Sequence, residues 1–433
     1  MTTTHRTWRS LAAAIAVGIL IACGSACAPL TGAGRRGEDV DADFYVAPNG
    51  NDAWSGRLAE PNREGTDGPF ATPARAQQAM RVHITGGLLD DAKVLIREGT
   101  YHLPRGLVFG LADGGTQLYS ITWAGWPGET VRLVGGVPVT GWERREGNAW
   151  RAPFPEGLEP NQLFERGQRM PLARAPNEGY FHLEAAVEGK PKTAFVYRKS
   201  DLDPASWDWA DGRVFMWPTH DWFSTDKRIV GIDTASRTIL LEGEGGYDIR
   251  ANNRYFVQNV LALLDAPGEC QIGTKTKTLH CIPRAEPLDI VAATASTLIT
   301  ILGGDEPVRN LHFRGLDLSV ARDDLVRIMG AEDCSIRSCL LENAGQRGVF
   351  VQGAAQRITL YGNLVRYHGL HGVELQGLGP GQRDVNHHHV VENNHIHHCG
   401  RLVGHGYGVR IQQSGHNRVA HNHIHHMPRY ATT

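Results

Sequence analysis

Cys339-Leu340-Leu341, Asn363-Leu364-Val365, Asn394-His395-Ile396 and Asn422-His423-Ile424 decide how this chain folds. Aligned on these tripeptides, residues 333–433 fall into rows with three recurring columns. One column reads Cys339, Asn363, Asn394, Asn422. Two residues later comes Leu341, Val365, Ile396, Ile424, and three residues before the first comes Ile336, Leu360, Val391, Val419. A Gly-Val step recurs at Gly348-Val349, Gly372-Val373 and Gly408-Val409, 24 residues apart in the tightest rows. A period of about 24 with short apolar strands is the mark of a solenoid. No row can bury its apolar side alone, so rows must stack into a continuous core. The Asn column then becomes a ladder of side-chain amides at an inward turn. This pattern predicts a parallel β-helix. Leucine-rich repeats share the period, but their L-x-x-L-x-L pattern is missing. A β-sandwich is the competing reading, and it leaves the columns unexplained.

The N-terminus is read as a secretion signal. Arg6 and Arg9 precede an apolar run over residues 11–21, shorter than the roughly 20 residues a membrane span needs. Leu20-Ile21-Ala22-Cys23 resembles the lipobox of bacterial lipoproteins, which implies lipid attachment at Cys23 and a signal peptide over residues 1–22. Cleavage near Ser25-Ala26-Cys27 is the alternative, and either route exports the protein. Residues 23–43 read as a polar, Gly-rich tether. The expected location is a lipid-anchored periplasmic or surface lipoprotein, otherwise a secreted protein, with the lipid as its only membrane contact. The 44 basic and 46 acidic residues nearly cancel, which argues against a nucleic-acid partner. Seven cysteines are too few for a disulfide scaffold. Cys334 and Cys339 occupy positions filled by Ile358 and Asn363 one row later, so they should be buried thiols. Cys270 and Cys281 flank a hairpin and could pair in an oxidising compartment.

Thr72-Pro73 opens a helix over residues 74–82, with Thr72 as N-cap and Pro73 in the first turn. This helix should cap the N-terminal end of the solenoid, and Val94-Leu95-Ile96, Thr122-Trp123-Ala124 and Val131-Arg132-Leu133-Val134 should begin its coils over residues 44–140. Residues 141–290 lack the period and carry Trp142, Trp150, Trp207, Trp209, Trp217 and Trp222. They read as an inserted β-rich domain, followed by coils over residues 291–433. Each Trp is either core or a platform for a sugar face.

Tyr45-Val46-Ala47-Pro48-Asn49-Gly50-Asn51-Asp52, Asp67-Gly68-Pro69-Phe70-Ala71-Thr72 and Gly99-Thr100-Tyr101 resemble the opening of secreted right-handed parallel β-helix proteins. With Gln162-Leu163-Phe164 and Ala173-Arg174-Ala175-Pro176-Asn177-Glu178-Gly179-Tyr180, the resemblance is to glycoside hydrolase family 141. It implies an all-β, right-handed parallel β-helix with a capping helix and an inserted domain. It also implies a monomer acting on fucosyl or xylosyl linkages of polysaccharides. In that family the catalytic aspartates lie in coils after the Asn-His-Ile-His-His row. Here that row runs Met427-Pro428-Arg429-Tyr430-Ala431-Thr432-Thr433, without the Gly-hydrophobic strand of earlier rows. The expectation is a shortened chain, an inactive or an incomplete form, with no assignable catalytic residue. Binding of a glycan without catalysis and polysaccharide lyase activity are the alternatives.

Alternation along the strands places Phe350, Glu374 and Arg410 in one outward column and Gln352, Gln376 and Gln412 in another, on rungs about 4.8 Å apart. Glu374 and Arg410 should pair there, either on a solvated face or in a glycan groove. The substrate-binding candidates are Glu374, Gln376, His405, Arg410 and Gln412, with His405 in a flexible glycine loop. Asp324 and Asp384 are lesser carboxylate candidates. Of 21 histidines, 14 lie between His368 and His426. His395 and His423 should stack, as should His397 and His425. Lacking a carboxylate or cysteine to complete a ligand set, they are assigned no metal, and no cofactor is expected.

Overall fold

The computed structural model describes residues 41–243, 246–379 and 383–433, with only the backbone of Ser206. Cys23, the signal segment and most of the tether lie outside the described residues. Three parallel sheets run the length of the molecule. The first holds Phe44–Val46, Ala92–Ile96, Ile121–Gly125, Leu311–Arg314, Ser335–Arg337, Thr359–Tyr361, Val390–Glu392 and Arg418–Ala420. The second begins at Gly99–His102 and ends at His395–His397 and His423–His425. The third runs from Leu107–Phe109 through Ile299–Leu302, Val326–Glu332, Val349–Gln356, Val373–Gln376 and Tyr407–Gln412 to Tyr430–Thr432. From Ala92 onward each coil contributes one strand to each sheet, which is the parallel β-helix, and Phe44–Val46 adds a strand to the first sheet alone.

The register follows the sequence columns. Ile336 pairs with Leu360 and Leu360 with Val391, while Leu341 pairs with Val365 and Val365 with Ile396. These residues, with Val349, Val351, Val373 and Leu375, form one continuous apolar core. Cys334 and Cys339 lie in it as free thiols. The asparagine column is a ladder. Asn363 Oδ1 accepts from Cys339 N at 3.0 Å, Asn394 Oδ1 from Asn363 N at 3.0 Å, and Asn422 Oδ1 from Asn394 N at 2.9 Å. Each amide also reaches back to a carbonyl, Asn363 to Ile336, Asn394 to Leu360 and Asn422 to Val391.

The coils bend at left-handed corners. Gly315, Ser338, Gly362, Asn393 and His421 all have φ between 52° and 68° at the turn before the ladder. Asn310, Asp333, Arg357, His388 and His416 are left-handed just before strands of the first sheet, and Val320, Asn343, Tyr367, His398 and His426 within or just past the ends of strands of the second, with φ between 48° and 67°. A left-handed conformation costs a non-glycine residue roughly 1–2 kcal/mol. Main-chain hydrogen bonds to the next coil hold the inner corners, as from Ser338 N to Tyr361 O, Gly362 N to Glu392 O and Arg357 N to His387 O.

The helix Pro73–Thr85 is capped by Thr72, whose hydroxyl accepts from Arg75 N at 3.2 Å. It lays Ala76, Ala79 and Met80 over the N-terminal end of the core. No helix among the described residues is long and apolar enough to cross a membrane.

After Val131–Val134 the chain leaves the three sheets, and parallel pairing resumes where Ile299–Leu302 meets Leu107–Phe109. The intervening chain builds antiparallel sheets with cores of their own. Gly136–Pro138 pairs with Ile290–Ala293, so the segment leaves and returns side by side. Its hairpin Leu163–Glu165/Gln168–Arg169 docks on the helix: Arg169 donates 2.8 Å bonds to the carbonyls of Tyr367 and Ala344. Cys270 and Cys281 face each other across a second hairpin, both buried and both free thiols. The last row corrects the expectation of a missing strand. Tyr430–Thr432 pairs with Tyr407–Gln412 despite lacking a Gly-hydrophobic step.

Candidate functional site

The outward columns of the third sheet stack in the expected register. Phe350 pairs with Glu374 and Glu374 with Arg410, while Gln352, Gln376 and Gln412 line up beside them. Their surroundings differ from a solvated face. Phe350 is 2% exposed and Glu374 0%. Arg347, two residues before Val349, turns its guanidinium over the Phe350 ring at 4.1 Å and meets Glu374. Arg410 closes the other side, Nη1 to Glu374 Oε1 at 2.7 Å. Glu374 is therefore roofed by two guanidinium groups, a buried ionic junction in place of one exposed salt bridge. The network extends to Asp324, 1% exposed, which takes Arg347 Nη1 at 3.1 Å and Arg327 Nη2 at 3.2 Å. Asp324 and Glu374 thus stand on either side of one guanidinium. Although burial opposes its charge, the two carboxylates hold Arg347 above its ordinary pKa. Gln376 and Gln412 remain partly open to solvent beside this junction. Asp384 is exposed.

His371 lies in the Arg347 column and faces Arg347, Arg410 and His405. Its Nδ1 accepts from Tyr407 N at 3.1 Å, and burial lowers its pKa to about 3, so it is neutral. His405 is held, not loose. Its Nδ1 faces Ser224 N at 3.4 Å and its ring stands edge-on to Phe223 at 4.8 Å. Gly404 N donates to Ser224 Oγ at 3.0 Å, and a Cβ at Gly404 would collide with the Trp217 ring. Gly404 thus permits close approach of the antiparallel segment that carries Trp217 and Ser224, whereas Gly406 packs against Leu370 and Gly400 of the coils themselves. Burial, then Arg429 and Arg410, lower the pKa of His405.

This docking gathers aromatics from both parts of the chain. Phe223 stacks on Tyr247 at 5.5 Å. Arg429 lies over Phe223 and Tyr430, each at 5.6 Å, and donates to the Trp222 carbonyl. Tyr430 stacks on Tyr407 at 5.8 Å. Trp222 is 56% exposed, Tyr430 54% and Tyr247 43%, whereas Trp217 is buried and Trp142, Trp150, Trp207 and Trp209 pack on the domain cores. Of the six tryptophans in the insertion, Trp222 has the exposed ring that a platform needs. Phe223, Tyr247, His371 and Tyr430 escaped the sequence reading. Phe223 and Tyr247 lie outside any repeated column, and only the docked fold brings them to His371 and Tyr430 on the coils.

Residues 307–432 match the right-handed β-helix region family. No curated protein matches the chain. Among solved structures, a glycoside hydrolase is similar over 85% of this chain and 76% of its own, with a TM-score of 0.70 at 17% identity. XylC in complex with xylose is similar over 86% of this chain and 58% of its own, with a TM-score of 0.43 at 13% identity. A rhamnogalacturonan lyase covers 85% and 72% with a TM-score of 0.28 at 9% identity. The protein is a right-handed parallel β-helix with the build of that glycoside hydrolase.

Proposed function

We propose that this is a carbohydrate-acting β-helix protein that holds a glycan where the inserted domain meets the last coils of the third sheet. The observation that carries the reading is the exposed aromatic rim. Trp222 and Tyr247 come from the insertion and Tyr430 from the last rung, linked through Phe223 and Arg429. Sugar rings offer apolar C–H faces to such aromatics and hydroxyls to nearby polar groups. Arg410, His405, Gln376 and Gln412 supply those groups. The reading extends to fucosyl or xylosyl linkages, on the family resemblance of the opening motifs. It also extends to export with Cys23 as the lipid-bearing terminus, on the lipobox.

Binding without turnover is a second reading, and one observation favours it. Glycoside hydrolysis needs one carboxyl group free to donate a proton and another free to attack or to activate water. Asp324 and Glu374 are both engaged by Arg347. The deciding experiment incubates the purified full chain with fucosylated and xylosylated polysaccharides, following affinity and released ends. Reducing ends released without calcium identify a hydrolase, and binding with no release identifies a binder. Unsaturated products that need calcium replace both with a lyase. Neither binding nor release from any polysaccharide overturns the carbohydrate assignment.

A further inference from the structure

The second sheet carries a separate arrangement on its outward side. His395 and His397 occupy one rung, His423 and His425 the next, in direct register. Alternation turns all four imidazoles to the same face. His395 stacks on His423 at 4.8 Å and His397 on His425 at 5.0 Å, with ring planes within 10° of parallel. Across the diagonal, His395 Nε2 and His425 Nε2 are 2.7 Å apart. Two ring nitrogens at that distance share one proton, so a lone pair of one faces the N–H of the other. One nitrogen from each of His395, His423 and His425 falls within 4.8 Å of the others.

We propose that His395, His423 and His425 form a binding site for one divalent transition-metal ion, with zinc as the best-fitting ion. Imidazole nitrogen is a borderline donor that suits zinc, copper or nickel and not calcium or magnesium. Zn–N bonds of about 2.0–2.1 Å at tetrahedral angles place ligand nitrogens about 3.3 Å apart. The His395–His425 pair opens slightly to reach that spacing and His423 swings inward, movements within the reach of side-chain rotation. The metal replaces the shared proton. Two of the three ligands are fixed on neighbouring rungs by main-chain pairing, so little ordering is needed on binding. The nearest cation in the adjoining rung, Arg366, is held by Glu342 at 2.8 Å. Three protein ligands leave a fourth position for water. Such an ion would clip the last two rungs of the second sheet together. His398, His425 and His426 form a second triad that shares His425, so the two sets compete for one ion.

The test uses the untagged full chain, stripped with chelator and titrated with Zn²⁺ by calorimetry, with metal content measured after dialysis. The expected result is one zinc per chain and a higher melting temperature on loading. His423→Ala, at an exposed position, and His425→Ala should each weaken binding at least tenfold. His398→Ala and His387→Ala should bind as the parent does. No retained zinc, equal retention by His423→Ala, or retention of calcium in place of zinc would overturn the proposal. So would loss of binding in His398→Ala with none in His423→Ala, which would move the ion to the second triad.

Discussion

Replacing Asn394 by alanine tests whether the amide ladder holds the coils in register. Asn394 is 2% exposed and its side chain bonds to Leu360, Asn363 and Asn422. Its Oδ1 accepts from Asn363 N and Asn363 Nδ2, both at 3.0 Å, and its Nδ2 donates to Leu360 O at 2.9 Å. Alanine leaves the Asn363 N–H and the Leu360 carbonyl without these partners, inside a core too dry for water to replace them. An orphaned buried polar group costs about 1–3 kcal/mol, so the two together predict a loss of about 2–6 kcal/mol. Asn422 makes the same bonds one rung on but is itself only partly buried, so water reaches the vacated site. Asn422→Ala should therefore cost less, about 1–2 kcal/mol. Asn363 and Asn394 share bonds, so the double variant should cost less than the sum of the two singles. Urea unfolding of the full chain, followed by circular dichroism, measures all three. If Asn394→Ala unfolds within about 0.5 kcal/mol of the parent, or Asn422→Ala costs as much as Asn394→Ala, the ladder is not what orders the coils.

Arg347→Ala removes the shared partner of two buried carboxylates and should cost about 3–5 kcal/mol in urea unfolding, with part recovered by adding Glu374→Gln. An unchanged midpoint would show that Asp324 and Glu374 do not depend on it. Trp222→Ala and Tyr430→Ala remove exposed rings and should weaken glycan binding about tenfold, or about 1.4 kcal/mol each, with the melting temperature nearly unchanged. Loss of binding in neither would place the glycan elsewhere. Acid should unfold the protein through its buried histidines. Burial lowers the pKa of His368 and His371 from 6.5 to about 3 and that of His389 to about 4. Their folded pKa values lie below the unfolded value, so their contribution is complete above pH 6.5 and is lost as pH falls from 6.5 toward 3. Each buried neutral histidine adds a slope of up to about 1.4 kcal/mol per pH unit in that window. His368→Gln should flatten the stability–pH profile between pH 6 and 4, and an unaltered profile would refute this assignment.

The coils were legible because their cause is local and repeated. Leu341, Val365 and Ile396 must face the core in every row, and Asn363, Asn394 and Asn422 must turn inward together, so pattern and register coincide. The corners were not legible. Ser338, Arg357, Tyr367 and His398 all take left-handed backbone, and no shared chemistry marks them. Stacking imposes the conformation on whatever residue falls there.

The site shows a sharper limit. Alternation placed Glu374 beside Phe350 and Arg410 correctly, but alternation concerns one strand and its rungs. Burial of Glu374 depends on Arg347, which lies at the turn before the neighbouring strand and reaches sideways across the columns. The same is true of Phe223 and His405, which are 182 positions apart and meet only because the insertion folds back onto the coils. The histidines teach the opposite lesson. The i, i+2 alternation and the rung register together define the square of His395, His397, His423 and His425 from the amino-acid order alone. Both stacks were expected from the sequence; the zinc proposal adds only that three imidazoles, with no carboxylate or thiol, can be a sufficient donor set. Where a solenoid repeats a ligating residue, its rungs bring copies within bonding range of one ion, and the repeat itself supplies the ligand set.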